Sequence, residues 1–125
     1  MNLVFAIGAG GALGAALRYM MSVAIMRVVG GDMPWGTLTV NVLGCFIMGL
    51  LAEAFALRYQ LGPEMRAFLT TGILGGFTTF SAFSLDVALL IERGNWGGAA
   101  AYAAGSVLLS VGGLFAGLWL VRVLA

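Results

Sequence analysis

The chain has 125 residues, of which 62% are hydrophobic and 9% charged, and its formal net charge is +1. Soluble domains carry about 25% charged residues, so this chain cannot clothe a water-facing surface, and its charge balance offers nothing to a nucleic acid. It has no histidine, no lysine and one cysteine, Cys45, which excludes an intrachain disulfide and a Cys/His metal centre.

A helix needs about 20 mostly apolar residues to cross about 30 Å of hydrocarbon. The first such run is 3–26; its start lacks the basic residues of a secretory signal, so it is expected to be mature sequence. Gly8, Gly10 and Gly14 within it mimic a dinucleotide-binding pattern, but no strand precedes them, so that reading is set aside. "RVVGGDMP" breaks the run, and a second extends over 35–57 with Pro34 as its first helical residue. "RYQLGPE" at 58–64 is a loop, Pro63 opens a third span that reaches 91, and "ERGNW" at 92–96 is a tight turn. The fourth span covers 96–121. The expectation is an all-α membrane protein, one four-helix transmembrane domain over 1–125. Trp35, Tyr59, Trp96 and Trp119 fall near span ends, the headgroup level that such rings favour. GxxxG spacings at Gly10/Gly14, Gly72/Gly76, Gly94/Gly98 and Gly113/Gly117 are candidate sites of close helix approach, although glycine is also simply common here.

An even number of spans puts both termini on one side, with Arg58, Arg66 and Arg122; the other side has Arg27 and Arg93. Orientation follows the Lys/Arg bias of the loops, and three against two is almost none. The expectation is insertion both ways up and an antiparallel pair of opposite copies.

"GGFTTFSAFS" at 75–84 loosens the third span where water is scarcest. Leu74 is about 11 residues beyond Glu64, or roughly 16 Å, half of the hydrocarbon core. A break is therefore expected at Gly75–Gly76, near the midplane, because glycine is a poor helix former. Such a break is tolerated only where protein or a water-filled cavity satisfies the freed backbone. Freed carbonyls suit a hard cation, and the two-fold axis of an antiparallel pair must cross the same depth; an ordinary packing kink is the competing reading. Phe77, Phe80 and Phe83 recur every three residues beside Ser81 and Ser84. Positive ring edges next to hydroxyls can host a small anion, and three core aromatics would look the same.

Thr37 and Asn41 are a turn apart in the second span, and Tyr102, Ser106 and Ser110 lie along one face of the fourth. They form either interhelical hydrogen bonds or a polar path. Arg18, inside the first span, is a functional candidate by its cost alone; it either draws anions into a vestibule or caps carbonyls. Cys45 reads as a small core residue, and Asp86 and Glu53 show no pairing pattern.

These residues resemble the Fluc/CrcB fluoride channels. "GGALGAALRY" at 10–19, "PWGTLTVNVLGCFIMG" at 34–49 and "GILGGFTTFSAFS" at 72–84 carry the resemblance, over nearly the whole length. It implies a fluoride-selective channel rather than an enzyme, with no catalytic residue, giving passive fluoride export across the bacterial inner membrane. It further implies an antiparallel homodimer in membrane lipid, with two pores and a central sodium ion (Na+) on backbone carbonyls of Gly75 and Thr78. The implied pore residues are Asn41, Phe80, Phe83, Tyr102, Ser106 and Ser110, with Thr37 and Ser81 less securely placed, and Arg18 matches the first-span arginine. Ala82 stands where many members carry threonine, so not every hydroxyl of the motif is needed. A neutral lining suits fluoride, because donors must replace its water without holding it fast. Two alternatives are a small dual-topology multidrug exporter, which would need a first-span carboxylate where this chain has Arg18, and a non-transporting membrane scaffold.

Overall fold

Each apolar run is helical in the computed structural model, which describes residues 2–57 and 60–124. Arg58 and Tyr59, assigned above to a loop and a span end, lie outside the described residues. Helix α1 is Asn2–Val29 and α2 is Trp35–Leu57. The third span begins as α3, Pro63–Ala67, widens into a π-helical stretch, Phe68–Leu74, and tightens again as α4, Gly75–Phe77. After an interruption it resumes as α5, Ser81–Glu92, and α6 is Trp96–Leu124. All four spans, the third taken as Pro63–Glu92, are long and apolar enough to cross a membrane. The chain is a multi-pass membrane protein.

The helix ends follow from local chemistry. Pro63 is the first residue of α3, where its missing N–H costs nothing. Pro34 instead precedes α2 and accepts from the Leu38 N–H at 3.2 Å, so it caps the helix rather than opening it. At the last turn the Gly94 and Asn95 N–H groups reach back to Ile91 and Leu90, both at 2.9 Å. That pattern needs a left-handed residue, which Gly94 supplies at φ +80°. Asn95 then caps α6 by accepting from the Gly98 N–H at 2.9 Å. A Cβ on Gly98 would strike the Asn95 side chain. Gly94 and Gly98 thus build a turn, and the close helix contact expected of them is not made.

The other three glycine pairs pack helices. A Cβ on Gly10 or Gly14 would run into the backbone at Phe68 and Ile73, and one on Gly72 or Gly76 would meet Gly10 and Gly11. The first half of the third span therefore lies backbone to backbone on α1, which runs parallel to it. On the other side α2 and α6, also parallel, pack closely. Gly49 faces the Leu114 carbonyl, Gly117 the Phe46 carbonyl, and a Cβ on Gly113 would press tightly on the Val42 carbonyl. At their C-terminal ends Arg122 pairs with Glu53 at 3.1 Å. That pairing was missed in the sequence, where Glu53 has no charged neighbour at helical spacing. Trp96 and Trp119 are both well exposed, Trp35 less so, as side chains facing lipid and headgroups are.

Candidate functional site

The third span does break, but later than expected. Gly75 and Gly76 are helical, and the chain leaves the helix at Thr78, whose backbone is extended (φ −88°, ψ 159°). The glycines are used for approach: Gly76 lies against Gly11 and Ala15. The π-helical stretch just before them widens the turn, a feature that often marks functional positions.

Asn41 of α2 holds the break open. Its Nδ2 donates to the Thr79 carbonyl at 3.0 Å, and its Oδ1 accepts from the Thr79 N–H at 2.8 Å. One carboxamide thus replaces both lost helical partners of Thr79. The Thr79 hydroxyl accepts from the Ala82 N–H at 3.0 Å and starts α5. At this step Ala82 contributes its backbone N–H. Arg18 donates from Nε to the Gly76 carbonyl at 3.0 Å, which is the carbonyl-capping geometry. The carbonyls of Gly76 and Thr79 are therefore occupied, whereas those of Gly75, Phe77 and Thr78 have no hydrogen-bond donor among the described residues. Gly75 is also exposed. An unpaired carbonyl at membrane depth is costly, and oxygens of this kind suit a hard cation.

Beside the break lies a cavity of about 430 Å³. Asn41, Phe80, Phe83, Ser106 and Ser110 all line it, together with Gly75, Thr78 and Thr79, and among the described residues no arginine or carboxylate does. Cys45 lines it as well, which the sequence did not suggest. Phe80 and Phe83 stand 5.4 Å apart between ring centroids at 43°, and Phe83 and Tyr102 5.3 Å apart at 40°. The three rings form a tilted series at the centroid spacing of favourable aromatic pairs. Ser106 is buried and its Oγ has no partner among the described residues. A buried hydroxyl left unpaired costs about 1–3 kcal/mol, a cost that a polar guest in the cavity would remove. Phe80 is 76% exposed, so the cavity is open on that side in the single chain.

The remaining expected residues lie elsewhere. Tyr102 is buried beyond Phe83, and its hydroxyl donates to Asp86 Oδ2 at 3.0 Å. Thr37 lines a second, more polar cavity of about 330 Å³ together with Asp32, Asp86 and Arg93. Tyr102 thus stands between the two spaces. Ser81 is exposed, its hydroxyl 3.2 Å from that of Thr79. Asp86 and Thr79 were missed in the sequence. The signal for Asp86 was present, since a lone acid inside a span is a candidate by its cost; its partner lies 16 residues away in another helix.

The family described as CrcB-like protein, Camphor Resistance (CrcB), matches residues 5–118. The chain is 60% identical over 122 residues to the fluoride-specific ion channel FluC of Rhodospirillum centenum, covering 98% of this chain and 97% of that protein. It is 51% identical over 122 residues to FluC of Rhizobium meliloti, covering 98% of both, and 50% identical over 123 residues to FluC of Nitrobacter winogradskyi, again covering 98% of both. With its glycine-docked spans, its broken third helix and this match over almost its entire length, the chain belongs to the CrcB family.

Proposed function

We propose that the chain is a passive, fluoride-selective channel of a bacterial inner membrane. The observation that carries this is the lining of the cavity beside the break, where amide, hydroxyls and aromatic rings converge, no charged residue among the described ones contributes, and Ser106 is buried without a partner among them. A small, strongly hydrated anion needs donors that replace its water and then let it go. Asn41, Ser106 and Ser110 supply such donors, and Phe80 and Phe83 supply ring edges. Tyr102 and Thr37 continue the polar series toward the second cavity, and Ser81 lies at the break. Relatives at 50–60% identity bear the fluoride-channel name.

The working unit in this reading is an antiparallel homodimer with two pores. The cavity of one subunit is open where Phe80 and Gly75 are exposed, so a second copy would close it. A central sodium ion fits the free carbonyls: Gly75 and Thr78 are two of the three that the break leaves unpaired. Such an ion supplies fixed positive charge and satisfies those oxygens.

Efflux from liposomes tests the channel. Purified protein should release fluoride, followed with a fluoride electrode, while retaining chloride. Absence of efflux, or chloride passing as readily, refutes the assignment. A topology reporter on the C-terminus tests the antiparallel unit, with signal expected from both sides of the membrane; signal from one side alone rules that unit out.

A further inference from the structure

The cavity beside the break contains one reactive group that fluoride conduction does not use. Cys45 lies one helical turn beyond Asn41 on α2, and both side chains line the same space. Across it, Ser106 is buried with an unpartnered Oγ and lines the same cavity. A buried hydroxyl without a partner is destabilising until a guest binds it, so this space is built to receive a polar guest. A guest that reaches Ser106 also reaches the sulfur. Ser110, on the same face of α6 as Ser106, lines the same cavity as Cys45. Cys45 is the chain's only cysteine, so any thiol chemistry of the protein is chemistry at this point.

We infer that Cys45 is a soft-metal binding site on the wall of the conduction path, at which mercury(II) closes the channel. Thiolate sulfur selects soft cations over the hard ions that carbonyl oxygens prefer. Mercuric chloride is neutral and small, so it can enter a cavity with no fixed charge. In the step one S–Hg bond forms, the S–H bond and one Hg–Cl bond break, and a proton and a chloride ion leave to water; no electron is transferred. The adduct narrows the space between α2 and α6. It also places a halide-binding metal beside Ser106 and Ser110, where conduction requires weak binding. The inference rests on this cavity being the fluoride path.

The test compares wild type with Cys45→Ser in liposomes, each against its own untreated rate. Mercuric chloride should lower wild-type fluoride efflux by about tenfold or more, intact mass should show one mercury per chain, and dithiothreitol should restore the flux. Cys45→Ser should keep its untreated rate. Wild type that takes up mercury and conducts as before, wild type that takes up none, or equal block of Cys45→Ser would each overturn the site. Untreated wild type without efflux would overturn the channel reading itself, and the block with it.

Discussion

Before its break the third span lies on α1 through backbone, with Gly72 and Gly76 against Gly10 and Gly11; after the break α5 leaves α1 and rests on α6 through side chains. There Leu90, Ala99 and Tyr102 form a small core to which Phe83, Val87 and Ile91 add their flanks. Backbone docking leaves no room between the two helices at their glycines and fixes position tightly. Side-chain packing between helices farther apart leaves space, and the cavity lined by Asn41 and Ser106 lies where one mode gives way to the other. The break is thus a change of partner: the span cannot stay straight and meet both α1 and α6. Asn41 stands at the changeover, and substitutions there and on either side separate the two modes.

Asn41→Asp should have the largest effect. Aspartate can still accept from the Thr79 N–H but cannot donate to its carbonyl, so half of the clamp is lost. It also puts a negative charge on an anion path. Two unit charges about 6 Å apart at an effective dielectric near 20 repel by about 3 kcal/mol, so fluoride efflux should fall by about 100-fold. Unchanged efflux would remove Asn41 from the pore and leave it only a clamp.

Gly14→Ala tests the docked half. The added Cβ would collide with the Ile73 carbonyl, which as backbone cannot swing away. Overpacking of this kind costs about 2–3 kcal/mol, measurable as loss of resistance to denaturation in detergent. Gly112→Ala is the control, because a Cβ there meets nothing within 4 Å. Equal stability of the two variants would mean that α1 and the third span do not dock through glycine.

Phe80→Ile probes the open half. At 76% exposure the ring contributes little packing within the subunit, so folding should be unaffected. Loss of one ring-edge contact, about 1 kcal/mol, should lower fluoride efflux roughly fivefold. Normal conduction would show that the exposed ring does not face the ion.

The four spans and the helical breakdown of the third were legible in the sequence because each depends on local quantities: hydropathy, proline, glycine and depth; the ends were less so, since α1 runs to Val29 and α6 to Leu124, three residues past the expected limits. The position of the break was not. Glycine reads as weakness in a propensity argument, yet Gly75 and Gly76 remain helical, and at Gly76 tertiary contact with Gly11 and Ala15 of α1 rewards the small size. What breaks the helix is Asn41, 38 residues away in sequence, which offers the Thr79 backbone better partners than its own helix does. Cys45 was hidden for a related reason: being small, it is indistinguishable from core until Ser106 and Ser110 are placed across from it.

The smallest effect is expected away from both modes, at the ends of α2 and α6. The Glu53 side chain is 11% exposed and the Arg122 side chain 63%, so the two partners are not equivalent. Glu53→Gln removes the buried charge, keeps a side chain of the same shape and leaves an arginine already largely in contact with solvent. It should cost well under about 1 kcal/mol. Arg122→Ala leaves a mostly buried carboxylate without its partner and should cost more, about 1 kcal/mol. Neither residue lines the cavity beside the break, so fluoride efflux per folded channel should match wild type in both. A drop in efflux without a drop in stability would mean that the α2–α6 pair transmits strain to the pore, and the separation between docked helices and conducting space would then fail at its far end.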